Sequence, residues 1–64
     1  MNFIELKAQN GYTVLINLAN VTCITQDSNG MATVCFDGDE HINLNERFDD
    51  LASTIEAMQR RMGR

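Results

Sequence analysis

The stretch Val21-Thr22-Cys23-Ile24-Thr25-Gln26-Asp27-Ser28-Asn29-Gly30-Met31-Ala32-Thr33-Val34-Cys35-Phe36 decides how this chain folds. Two runs rich in β-branched residues flank Asn29-Gly30. Asn-Gly is a strong hairpin signal, because a type I′ turn needs positive φ at both central positions and these residue types tolerate it best. A two-residue turn also fixes the register. Ser28 then faces Met31, Asp27 faces Ala32, Thr25 faces Val34 and Cys23 faces Phe36. Opposed residues share a face, so Val21, Cys23, Thr25, Ala32, Val34 and Phe36 form the expected core face. Thr22, Ile24, Gln26, Met31, Thr33, Cys35 and Asp37 form the other. In this register Cys23 and Cys35 diverge from opposite faces, a disulfide between them has the wrong geometry, and both read as small reduced hydrophobes.

Upstream, Asn2 to Ala8 leads through Gln9-Asn10-Gly11 into Tyr12 to Leu18, a second hairpin with a second Asn-Gly turn. Its two-residue register puts Ile4, Leu6 and Leu15 on one side and Phe3, Val14, Ile16 and Leu18 on the other. Either both sides are covered or the turn is longer. Leu18-Ala19-Asn20 connects the hairpins. Downstream, Asp37-Gly38-Asp39 turns the chain into a last strand over Glu40 to Leu44. A three-residue loop with Gly38 in the left-handed region pairs Ile42 with Val34 and Leu44 with Ala32, matching the apolar pattern, whereas a two-residue loop would turn His41 to the core.

After Leu44 the period changes. Phe48, Leu51, Ile55, Met58 and Met62 recur at alternating three- and four-residue spacing, which places them on one stripe of an amphipathic helix. Asn45 reads as its N-cap, Glu46, Asp49 and Asp50 suit the positive end of its dipole, and Arg60, Arg61 and then Gly63 mark its close. The expected architecture is α+β: a single domain over residues 1–64, with an antiparallel β-meander of four to five strands near 2–8, 12–18, 21–27, 31–37 and 40–44 and a C-terminal amphipathic helix near 46–62.

A chain of 64 residues makes a small core, since domains near this size bury only about 60% of the surface their unfolded chains expose. Two cysteines, one histidine and no CxxC provide neither a disulfide scaffold nor a zinc site, which leaves self-association as the source of added stability. A net charge of −4 and a pI near 4.6 argue against binding a nucleic-acid backbone. No apolar run approaches a membrane span, and Glu5 falls where a signal peptide would be apolar, so the expected location is cytoplasmic.

The inventory for catalysis is thin, and the chain is not expected to be an enzyme. His41 is the single imidazole; it lies beside Asp37, Asp39 and Glu40, and in the hairpin register Cys35 is the thiol nearer to it, but no orienting third group or oxyanion hole follows from the sequence. The acidic cluster is too short for a calcium loop. The glycine turns precede strands, not helix N-termini, and so are not phosphate loops. No metal or cofactor is expected.

The residues therefore point to surface recognition. Phe3, Val14, Ile16 and Leu18 form the expected self-association face of a homo-oligomer, and Asp37, Asp39 and Glu40 the acidic surface offered to a protein partner. The leading reading is a small regulatory interaction module. The alternatives are a phage-type acidic inhibitor that mimics nucleic acid, and an oligomer that holds a small ligand between subunits.

The order of features resembles the FlbD-type small flagellar and swarming motility proteins. The resemblance is carried by Phe3-Ile4-Glu5-Leu6, Asn10-Gly11, Val14-Leu15-Ile16-Asn17, the strand from Val21 to Ile24, Thr33-Val34, Gly38, Glu46, Asp50-Leu51 and Ile55, and covers about residues 3–55. It implies a non-enzymatic bacterial accessory or regulatory protein with no catalytic residues.

Overall fold

A computed structural model describes residues 3–62. Five antiparallel strands precede one helix: β1 (Phe3–Lys7), β2 (Thr13–Asn17), a 3-10 turn (Leu18–Asn20), β3 (Val21–Gln26), β4 (Met31–Phe36), β5 (His41–Arg47) and α1 (Phe48–Met62). The strands form a β1–β2 hairpin and a three-stranded sheet in the order β3-β4-β5. A single antiparallel bridge from Ala8 to Leu44 joins the two, reinforced by the Gln9 N–H donating to the Asn43 carbonyl at 2.9 Å.

Both Asn-Gly hairpins close with three-residue loops, not two. Among the described residues only glycines take positive φ, including Gly11 at 93° and Gly30 at 83°. Asn10 and Asn29 therefore do not adopt the left-handed conformation that a type I′ turn demands at both positions. Instead the Gly30 N–H donates to the Asp27 carbonyl at 3.0 Å and the Asp27 N–H to the Met31 carbonyl at 2.8 Å; Gly11 with Ala8, and Ala8 with Tyr12, repeat the arrangement at 3.0 and 2.8 Å. The Asp27 carboxylate holds the second loop, accepting from the Asn29 N–H at 2.8 Å and the Met31 N–H at 2.9 Å. Such side-chain bonds to nearby amides are how Asp builds turns.

The extra loop residue shifts each hairpin register by one, and a one-residue slip flips every side chain of a strand. In the central hairpin Ile24, not Thr25, stands opposite Val34, and Cys23 stands opposite Cys35, not Phe36. The expected core face is thus right for β4, where Ala32 and Val34 are buried, and wrong for β3 beyond Val21. A register shift between Val21 and Cys23 returns Val21 to a position opposite Phe36, and both pack against the core. In the first hairpin Leu6 pairs with Val14 and Ile4 with Ile16, so one face carries Ile4, Leu6, Val14 and Ile16. The longer turn resolves the divided faces of the two-residue register.

β5 takes the register that the apolar pattern favours, with Ile42 opposite Val34 and Leu44 fully buried. It also runs further than Leu44. A shift between Met31 and Thr33 lets Arg47 pair with Met31, so Asn45 and Glu46 lie in the strand and Asn45 is not a helix cap. Pairing here overrides the weak strand preference of Asn-Glu-Arg. The helix starts at Phe48, whose N–H donates to the Gly30 carbonyl at 2.9 Å, with Asp49 and Asp50 in its first turn and Arg60 and Arg61 in its last. Its stripe works as the periodicity requires: Leu51 is buried, and Phe48 and Ile55 pack against the core. The Met62 side chain, Gly63 and the start of the first strand at Asn2 lie outside the described residues.

The core consists of Leu6, Ile16, Ala32, Val34, Leu44 and Leu51, drawn from four strands and the helix, with no buried polar residue among those described.

Candidate functional site

Buried positions come first, because they cannot also form a surface. Ile16 is 3% exposed and belongs to the core, while Val14 and Leu18 pack against that core. Phe3 lies on the other face of its hairpin, opposite Asn17. The four residues expected to share one self-association face are therefore not one surface. The slipped register explains the error, since it exchanged Ile16 for its neighbour Leu15.

The outer face of the β1–β2 hairpin carries what the chain leaves uncovered. Leu15 is 67% exposed, and Phe3, on the same face and one diagonal position away, is 41% exposed. Glu5 stands opposite Leu15, and Lys7 donates to the Thr13 hydroxyl at 3.0 Å. Exposed Tyr12 immediately precedes β2. Beyond β2 no further strand pairs among the described residues, so its outward N–H and C=O groups form an open edge. β3 presents a second open edge, and the 3-10 turn capped by Asn17, whose side chain accepts from the Ala19 N–H at 3.0 Å, joins the two.

Asp37, Asp39 and Glu40 are all exposed on the β4–β5 turn. The loop is closed by the Phe36 N–H donating to the Glu40 carbonyl at 2.9 Å, and Gly38 supplies its positive φ of 74°. The first hairpin turn lies at this same end of the sheet, where Gln9, Asn10, His41 and Asn43 line a shallow polar hollow.

On the opposite flank an apolar groove of about 370 Å³ runs between α1 and the start of β3, lined by Leu18, Val21, Ile24, Ile55 and Met58. The open edge of β3 forms one wall and the second half of the helix the other.

The face of the three-stranded sheet turned away from the helix holds a row absent from the sequence reading. Cys23, Cys35 and His41 occupy successive strands at matching positions. Cys35 is thus the thiol nearer His41, but it also directly faces Cys23. Hydrogen bonding with the Cys23 thiol holds the Cys35 pKa above its ordinary value; burial and the Cys23 charge add to the rise and Thr25 opposes it. One row along, the Thr33 hydroxyl donates to the Asn43 side-chain oxygen at 3.0 Å. The expectation that the cysteines diverge is overturned by the same loop that moved Ile24 into the core. Asp27 was the available signal, since an Asp two residues before Asn-Gly can build the longer loop from its own carboxylate.

Among the described residues no three His, Cys, Asp or Glu side chains gather to hold a metal ion, and no helix is long and apolar enough to cross a membrane. Comparison with family models, curated proteins and solved structures gives no match.

Proposed function

We propose that this protein is a non-enzymatic interaction module that self-associates through β2 and binds a protein partner. The observation that carries the reading is Leu15, an aliphatic side chain 67% exposed beside an open strand edge, with Phe3 on the same face. Burying that surface is favourable by roughly 25 cal/mol per Å² of apolar area. A two-fold axis at the edge would set β2 antiparallel to its own copy, extending the hairpin into a longer sheet and satisfying the outward backbone groups. A core this small gains stability from such association. Asp37, Asp39 and Glu40 remain free at the β4–β5 turn to select a basic partner surface. A bacterial regulatory role of the kind the FlbD-type resemblance implies agrees with this reading.

The test is native mass spectrometry of the purified protein beside its Leu15→Asp variant, with circular dichroism to verify folding. The expected result is an oligomer for the parent chain and a folded monomer for the variant. A parent chain that is monomeric at tens of micromolar, or an oligomer that survives Leu15→Asp, overturns the β2 interface. Neutralising Asp37, Asp39 and Glu40 together leaves the subunit number unchanged.

The groove beside α1 supports a second reading, a small-ligand protein, since about 370 Å³ falls within the size range of ligand pockets. The same spectrum separates the two, because a retained small molecule adds a discrete mass to each subunit.

A further inference from the structure

We propose that Cys23 and Cys35 form a reversible intramolecular disulfide across β3 and β4, made by exchange with a low-molecular-weight disulfide. The two residues are direct cross-strand partners on the outward face. As a hydrogen-bonded pair they stand about 5.5 Å apart at Cα, within the roughly 4.4–6.8 Å that a disulfide spans, so the bond asks only for a small approach of the two Cβ atoms at the edge strand. Both are free thiols; Cys23 is exposed to reagents and Cys35 is half-buried behind it.

This asymmetry assigns the order of events. The thiolate of Cys23 attacks one sulfur of a disulfide R–S–S–R, forming a mixed disulfide and releasing one RS⁻. Cys35, whose thiol stays protonated in the resting pair, then gives up its proton and attacks the Cys23 sulfur, expelling the second RS⁻. Two protein thiols lose two protons and two electrons in all, and R–S–S–R becomes two R–SH. His41 stands next to Cys35 in the same row, on the strand beyond, where an imidazole can take the proton released in the second step.

The product fastens the open edge strand β3 to the central strand β4. Thr22 already ties the same place, its hydroxyl donating to the Cys35 carbonyl at 3.2 Å, so the disulfide would add a covalent link where the strands are held in register. The proposal is independent of the β2 interface, because neither cysteine lies on that hairpin.

The experiment equilibrates the full chain with reduced and oxidised glutathione over a range of ratios, quenches with acid and reads intact mass and peptide linkage. The expected product has lost two hydrogens and carries a single Cys23–Cys35 link. Half-oxidation should fall at a ratio at least about ten-fold more reducing for the folded chain than for the same chain in urea, because the sheet holds the thiols together. In Cys35→Ser the reaction should stop at a glutathione adduct on Cys23. In Cys23→Ser, with the half-buried thiol alone, adduct formation should be roughly ten-fold slower. Circular dichroism verifies that both variants fold. Accumulation of glutathione adducts or intermolecular dimers by the parent chain, or equal half-oxidation ratios in buffer and urea, overturns the disulfide. Equal adduct rates in the two variants overturn the order of attack.

Discussion

Leu15 and Ile16 are adjacent in β2, yet Leu15 is 67% exposed and Ile16 is 3% exposed. The alternation of a half-buried strand puts them on opposite faces, and that single step separates an uncovered aliphatic side chain from the core. Ile16→Ala should cost about 2–5 kcal/mol, as expected for truncating a buried aliphatic side chain. Leu15→Ala should change the stability of the monomer by no more than about 0.5 kcal/mol. Urea denaturation at a protein concentration low enough to keep both variants monomeric checks the pair.

The register of the central hairpin makes a second contrast. Because Ile24 faces Val34 and packs against the core, Ile24→Ala should destabilise by about 2 kcal/mol, whereas Thr25→Ala, on the outward face, should fall within about 0.5 kcal/mol. A two-residue turn would reverse the order. Equal urea midpoints for the two variants, or a lower one for Thr25→Ala, would speak against the observed pairing.

Asp27 should be the most costly side chain to remove from the β3–β4 loop. Its carboxylate accepts from two backbone amides, Asn29 and Met31, and Asp27→Ala leaves both to water. The expected loss is about 1–2 kcal/mol. Asp27→Asn keeps an acceptor oxygen and should recover at least half of it. Thermal melts of the three proteins decide this.

Raising the pH should weaken the fold through Cys35. Its pKa is higher in the folded chain than its ordinary value, first because of hydrogen bonding with Cys23. The folded state therefore binds the thiol proton more tightly than the unfolded state does. That contribution is fully present below the ordinary thiol pKa and is lost as the pH rises through the raised value. Under reducing conditions, Cys35→Ser should flatten the alkaline decline of the urea midpoint; an unchanged decline would assign it to other groups.

The α+β order of elements was legible from periodicity alone, because the alternation of β4 and the three-and-four spacing of Phe48, Leu51 and Ile55 each admit one placement. The β4–β5 register was legible as well, since only one loop length brought Ile42 against Val34. The β3 register was not. Asn29-Gly30 carries the signature of a two-residue turn, and the decisive counter-signal was a side-chain hydrogen bond from Asp27, which no apolar pattern records. That slip hid Cys23 as the partner of Cys35, and a separate one-residue slip in the first hairpin hid Leu15 as the exposed residue. The end of β5 was missed for a different reason: Asn45-Glu46-Arg47 has the composition of a helix start, and only pairing with Met31 keeps it in the sheet.

The bond from the Phe48 N–H to the Gly30 carbonyl reaches from the first residue of the helix to the tip of the central hairpin. Arg47, at the end of β5, lies over that same glycine, close enough that an added Cβ would come within 3.0 Å of its guanidinium. The helix therefore cannot lift from the sheet at its N-terminal end without first parting from the β3–β4 turn. In hydrogen-exchange terms, Phe48 and the β4 amides should open together as one cooperative unit with the highest protection in the chain, while the last turn of α1, where the exposed Glu56–Arg60 pair adds little, exchanges early.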